Sequence, residues 1–162
     1  MVRPFTIDDT PALLDIYNHY VSNTVVTFDI EPLSFTTFEA KVNRINAEYP
    51  FFVFEDNQGI LGFVYASRFR PKPAYNFTVE STVYVKQDAH GKGIGSRLYE
   101  ALLTALKQTD THTVIGALTI PNEASVKLHE KFGFKEVALL KEVGLKFGKW
   151  HDVGMYQLKL ST

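Results

Sequence analysis

The chain has no cysteine among its 162 residues. That excludes a disulfide framework, a Cys-ligated zinc and a thiol nucleophile, and it leans toward a reducing, intracellular setting. Excess charge is missing too: seventeen Lys and Arg face eighteen Asp and Glu, a formal net charge of −1. Duplex-binding proteins carry a basic excess or a basic stripe, so nucleic acid is not an expected partner. No run approaches the ~20 apolar residues that cross a bilayer. The first residues, Met1-Val2-Arg3-Pro4-Phe5, lack the basic and apolar regions of a secretory signal. A cytoplasmic protein with no membrane partner is expected. The five His are scattered without paired ligand spacing, so no metal site is expected.

What is present is ordinary in bulk and unusual in one detail. Hydrophobic residues make up 45% and charged residues 22%, the balance of a soluble globular chain. The length suits a single domain over residues 1–162 with one substantial core. Aromatics reach 14%, with thirteen Phe and eight Tyr against two Met.

The periodicities alternate between extended and helical. Residues 2–5 can form a short strand. Asp8 or Asp9 can then cap a helix with Pro11 in its first turn, on whose face Leu13, Ile16, Tyr17 and Tyr20 recur. Residues 22–33 read as a loop. Ser34 can cap a second helix with Phe35, Phe38, Val42 and Ile45 along one side. Residues 51–55 and 60–69 flank the turn Asp56-Asn57-Gln58-Gly59, a hairpin. Pro71 and Pro73 break the chain before a central strand over 77–85, rich in β-formers. A glycine-rich segment, a helix carrying Leu98, Leu102, Leu103 and Leu106, and a strand over 114–119 follow. A short helix over 122–132 stops at Gly133, and residues 134–140 and 155–160 supply late strands. This order predicts an α/β (α+β) fold whose mostly antiparallel mixed sheet carries helices on both faces. The strand–helix–strand unit over 77–119 should make one right-handed parallel crossover.

The sharpest motif is His90-Gly91-Lys92-Gly93-Ile94-Gly95-Ser96, between a strand and a leucine-rich helix. Alternate glycines let backbone N–H groups converge, and the helix N-terminus adds donors and its dipole. Such a nest binds phosphate or pyrophosphate; a turn with no ligand is the plain alternative. A Walker loop needs a Lys-Ser/Thr pair after its last glycine, and a dinucleotide fingerprint needs Gly-x-Gly-x-x-Gly. Neither pattern is present.

At this loop the chain resembles the GNAT superfamily of acyl-CoA-dependent N-acetyltransferases. Their signature, Arg/Gln-x-x-Gly-x-Gly/Ala, is matched by residues 90–95 with His90 in place of Arg or Gln. The stretch from Asn122 and Ser125 to Gly133-Phe134 resembles the family's Asn-x-x-Ser…Gly-Phe helix. Thr78-Val79-Glu80 and Lys146-Phe147-Gly148-Lys149-Trp150-His151-Asp152 are similar to the phosphinothricin and methionine sulfoximine acetyltransferase branch.

The resemblance implies a GNAT fold that transfers acetyl from acetyl-CoA to the primary amine of a small amino-acid-like substrate, by direct attack in a ternary complex. It implies that Ser81, Thr82, Val83, Tyr84 and Val85 pair with the pantetheine arm. The pyrophosphate would lie on His90, Gly91, Lys92, Gly93, Ile94, Gly95 and Ser96, with Asn122 and Ser125 bonding the arm. Glu80 is the candidate base, and an exposed carboxylate on an edge strand is its alternative. His129 stands where many members place a proton-donating Tyr, with a packing or surface His as the alternative. Arg70 is favoured as a carboxylate ligand, with Arg68, Thr78, Tyr75 and Phe28 as further substrate contacts; Arg68 has a plain surface alternative, and Tyr75 and Phe28 a core one. Lys146, Trp150 and His151 fit either a substrate wall or a contact in a homodimer. Other acceptors stay open: a polyamine, an aminoglycoside or a peptide N-terminus. A non-catalytic acetyl-CoA sensor also stays open.

Overall fold

The computed structural model describes residues 1–160. Seven strands form one mixed sheet: β1 (Val2–Pro4), β2 (Phe51–Asp56), β3 (Gly59–Arg68), β4 (Thr78–Val85), β5 (Thr113–Ile120), β6 (Lys135–Lys146) and β7 (Lys149–Lys159). Their order in the sheet is β1-β2-β3-β4-β5-β7-β6. The helices are α1 (Thr10–Asn23), α2 (Phe35–Glu48), α3 (Ile94–Leu106) and α4 (Glu123–Lys131). The described chain falls into two compact units, one built from Met1–His19, Leu33–Ser67 and Ser81–Asp110, the other from Tyr20–Pro32, Arg68–Glu80 and the chain from Thr111 onward.

In the first unit, β1, β2 and β3 run antiparallel, with a bulge at Phe54/Glu55. The Phe63 and Tyr84 rings lie tilted to one another with centroids 5.5 Å apart, and Tyr17 of α1 meets Tyr84 edge-on at 5.4 Å. The neighbouring residue Gly62 points the other way, because successive side chains alternate across a strand. There a Cβ would stand 3.1 Å from Leu98 and 3.3 Å from Ile94, so the glycine lets α3 lie close. Helices α1 and α3 therefore cover opposite faces. Leu98, Leu102 and Leu106 are fully buried, each stabilising by about 1.5–3 kcal/mol. Ser34 caps α2 by accepting the Thr37 N–H at 3.2 Å. Phe38, Val42 and Ile45 of α2 are buried as expected, but Phe35 is exposed.

Asp9 does not cap α1 in the expected way. It ends a 3₁₀ turn, Ile7–Asp9, accepts the Thr6 N–H at 2.8 Å and takes both Arg3 Nη atoms at 2.8 and 2.9 Å.

In the second unit, Thr78, Val79 and Glu80 of β4 pair in parallel with Thr113, Val114 and Ile115 of β5. β7 runs antiparallel to β5 along its whole length and to β6 on its other side. These last strands are longer than the sequence suggests. Phe147 (φ 52°) and Gly148 (φ 72°) form a two-residue hairpin turn with both residues left-handed, a geometry that matches strand twist.

Candidate active site

Strand β4 and the loop after it supply the first group of residues. Ser81 is buried, and its hydroxyl shares a 2.8 Å hydrogen bond with the buried Tyr99 hydroxyl of α3. Thr82, Val83, Tyr84 and Val85 are half-buried. A 3₁₀ turn, Gln87–Ala89, leads to His90. His90 Nε2–H donates to the Val85 carbonyl at 3.2 Å, so this imidazole ties the loop back to the end of β4.

The loop fits an anion. Gly91 and Gly93 sit at φ 81° and 74°, and a Cβ on either would meet no protein atom within 4 Å. Glycine is required here by backbone conformation, and space lies open beside both Cα atoms. α3 starts at Ile94 with Gly93 as N-cap and no side-chain capping bond from it, and a helix N-terminus presents N–H donors and the positive end of its dipole. Ile94 is buried and anchors the helix end, Lys92 is exposed, and Gly95 and Ser96 are half-buried. This arrangement could hold a pyrophosphate.

The second group lies in the other unit. Thr78 and Glu80 are half-buried and alternate with buried Val79 and Ser81, so both project from one face of β4. Arg70 is exposed, and its guanidinium lies 5.0 Å from the Phe69 ring and 5.9 Å from the Tyr75 ring. Phe69 and Tyr75 meet edge-on at 5.6 Å. This aromatic platform holds a cation by its ring faces. Arg68, also exposed, donates Nη2–H to the Pro71 carbonyl at 3.3 Å.

On α4, Asn122 is half-buried and is the N-cap, its Oδ1 accepting the Ser125 N–H at 3.2 Å. The Ser125 carbonyl in turn accepts from His129 Nδ1 at 2.7 Å.

Two expected roles meet a different geometry. His129 is 2% exposed, packed against Phe134 and Tyr156. Burial lowers its pKa from 6.5, only partly offset by the Ser125 bond, so at neutral pH its one proton sits on Nδ1 and is given to a backbone carbonyl. This is the geometry of a packing histidine, the alternative to the donor role. Lys146 is also 2% exposed. Its Nζ donates to the Thr27 carbonyl at 2.9 Å, and burial lowers its pKa, with Asp29 opposing. The Thr27 carbonyl holds this ammonium inside the fold. Phe28 is half-buried beside His151, ring centroids 6.3 Å apart.

Sequence reasoning missed Tyr99, Gly116, Gly144 and Thr27, the partners that fix Ser81, His129, Phe28 and Lys146. Gly116 alone carried a signal: a glycine inside a run of β-formers marks a close approach.

This mixed-sheet fold is shared with solved acetyltransferases, among them an N-acetyltransferase from Staphylococcus aureus Mu50 (TM-score 0.96, 38% identity, covering 99% of this chain and 98% of that one). Residues 2–155 match the acetyltransferase (GNAT) domain model; the chain belongs to this family and is an N-acetyltransferase. It is 44% identical to a phosphinothricin N-acetyltransferase of Streptomyces coelicolor, covering 98% of this chain and 95% of that protein. It is 34% identical to an L-methionine sulfoximine/L-methionine sulfone acetyltransferase of Pseudomonas paraeruginosa, covering 98% and 94%. Among solved structures, a phosphinothricin acetyltransferase from Sinorhizobium meliloti in complex with AcCoA superposes with a TM-score of 0.96 at 31% identity, covering 99% of this chain and 88% of that one. Among the described residues no helix is long and apolar enough to cross a membrane, and no cluster of three or more His, Asp or Glu could hold a metal.

Proposed function

We propose that the chain, as one acetyltransferase domain acting in the cytoplasm, acetylates the primary amine of a small amino-acid-like substrate such as phosphinothricin or methionine sulfoximine. The observation that carries this reading is the exposed Arg70 guanidinium braced over Phe69 and Tyr75. A guanidinium grips a carboxylate with paired hydrogen bonds, whereas a polyamine or aminoglycoside would be repelled by it. Tyr75, Thr78 and Phe28 would then face the rest of the acceptor, with Arg68 beside them.

Acetyl-CoA supplies an activated acyl thioester when bound. Gly91 to Ser96 would hold its pyrophosphate by backbone N–H groups, and backbone groups of Ser81 to Val85 would pair with its arm, with Asn122 and Ser125 adding polar contacts. Glu80 takes the proton from the acceptor ammonium, directly or through one water, so that the free amine attacks the thioester carbonyl in a single ternary complex; the C–N bond forms as the C–S bond breaks, and coenzyme A departs as its thiolate, to be protonated by solvent. A chain with no cysteine has no thiol on which to park the acyl group. His129 is left out of the proton path and assigned to packing.

A thiol-release assay with acetyl-CoA across amino acids, polyamines and aminoglycosides tests this. Turnover is expected with phosphinothricin or methionine sulfoximine; turnover confined to polyamines would overturn it. The reading also includes a homodimer. Val137, Val143, Leu145, Phe147 and Trp150 of the β6–β7 hairpin are each more than half exposed, and β6 is an edge strand. Exposed apolar edges of this kind invite a second copy. Sedimentation should give twice the monomer mass, and Leu145→Lys should give the monomer.

A further inference from the structure

We infer that Lys146 and Gly144 are positioning residues that latch the segment between α1 and α2 onto strand β6, and so set where the Phe28 ring stands. The inference deepens the acceptor-site reading above and rests on it for the part Phe28 plays. Two contacts made by neighbouring residues converge. The Lys146 ammonium donates to the carbonyl of Thr27 at 2.9 Å. One residue on, the Phe28 ring occupies the space where a side chain on Gly144 would begin: a Cβ there would overlap three of its ring atoms. The first contact fixes the backbone at 27, and the second requires that residue 144 have no side chain.

Both latch residues are themselves held: Gly144 pairs with His151 across the β6–β7 ladder. His151 Nε2–H donates to the Lys146 carbonyl at 3.1 Å, and the His151 ring stands 6.3 Å from that of Phe28. The Phe147 ring lies 5.2 Å from Lys146 Nζ. On the opposite side, Asp29 N–H donates to Thr27 Oγ1 at 3.3 Å, a side-chain turn that shapes the backbone whose carbonyl the lysine holds. A buried ammonium is costly unless its hydrogen bonds are met. A residue that spends this cost on the carbonyl of a connecting segment is placed to hold that segment still. Because Phe28 follows Thr27 directly, the latch sets where its Cβ stands, and the bare Gly144 backbone gives its ring a seat.

The test is hydrogen exchange on the full-length chain together with steady-state kinetics. Removing this charged hydrogen bond frees the backbone it holds, so in Lys146→Met the amides of residues 24–33 should exchange at least about tenfold faster. Peptides of β5 should be unmoved, and Lys146→Arg should restore part of the protection. The KM for the acceptor should rise while that for acetyl-CoA holds. Unchanged exchange over 24–33 would overturn the latch. Faster exchange with an unchanged acceptor KM supports the latch and removes Phe28 from the acceptor site, which separates the two readings. If Lys146→Met does not fold, Gly144→Ala carries the test: its loss of stability should largely vanish when Phe28→Ala is added. A Gly144→Ala penalty equal with and without the ring would overturn the seat.

Discussion

His129 packs directly on Gly116: a Cβ added to the glycine would stand 2.7 Å from Nε2 and 2.8 Å from Cδ2 of the imidazole. Both residues are buried, one on α4 and one on β5, so neither neighbour has room to retreat. Gly116→Ala should therefore destabilise the protein by about 1–3 kcal/mol, as overpacking of a filled interior does. Urea unfolding at pH 7.5 measures this. A variant as stable as the parent would mean that the strand and helix separate at little cost.

The same burial gives a pH signature. Desolvation lowers the His129 pKa from 6.5 in the folded chain, with the Ser125 carbonyl partly opposing. Above pH 6.5 both folded and unfolded chains hold the ring neutral, and it makes no pH-dependent contribution. As pH falls below 6.5 the unfolded chain takes up a proton that the folded chain refuses. Stability should then drop by up to about 1.4 kcal/mol per pH unit until the folded ring also titrates. Asp152, lowered by Lys141, loses its contribution only as pH falls below 3.8, as does Asp9, where Arg3 and Thr6 outweigh burial. The two windows separate. His129→Asn should flatten the loss between pH 6.5 and 5 and leave turnover within about threefold, since general acid–base groups are worth far more. A steep loss of turnover at unchanged stability would return His129 to the proton path.

These two features mark the line between what the sequence made legible and what it did not. The loop at residues 90–96 could be read because glycines at φ 81° and 74° are a local necessity, visible without any partner. Leu98, Leu102 and Leu106 could be read because period 3.6 is local too. The depth of His129's burial could not, because it depends on a glycine thirteen residues earlier, in strand β5. Lys146 reads in sequence as part of a substrate wall or a dimer contact, because its partner, Thr27, lies 119 residues away. Residues 141–154 were not read as strand: Phe147 takes a left-handed turn conformation that sequence rules reserve for Gly, Asn or Asp.

Glu80→Gln keeps the shape of the side chain and removes its basicity. Turnover at pH 7 should fall by about 10²–10⁴-fold, the usual worth of a general base. It should recover in part as pH rises, because the acceptor then arrives already deprotonated. The KM for acetyl-CoA should stay within about twofold, as expected for a group whose effect is on proton transfer. Rates of thiol release from pH 6 to 10 decide the matter, and a Gln variant with an unaltered profile would leave Glu80 without the assigned role.

Gly93 and Gly59 make a matched pair for testing the anion site. Both are left-handed, φ 74° and 107°, and a Cβ on either would meet nothing within 4 Å. Alanine at each position should cost about 1–2 kcal/mol through backbone strain alone. They differ in setting: Gly59 opens strand β3, while Gly93 is the N-cap of α3. If the first turn of α3 receives the pyrophosphate, a methyl group on Gly93 intrudes where phosphate oxygens must approach the backbone N–H groups. Gly93→Ala should then raise the KM for acetyl-CoA by about tenfold or more, the worth of one charge-assisted hydrogen bond. Gly59→Ala should lose stability with no change in KM. Equal KM values in the two variants, at equal loss of stability, would place the phosphates away from this helix end.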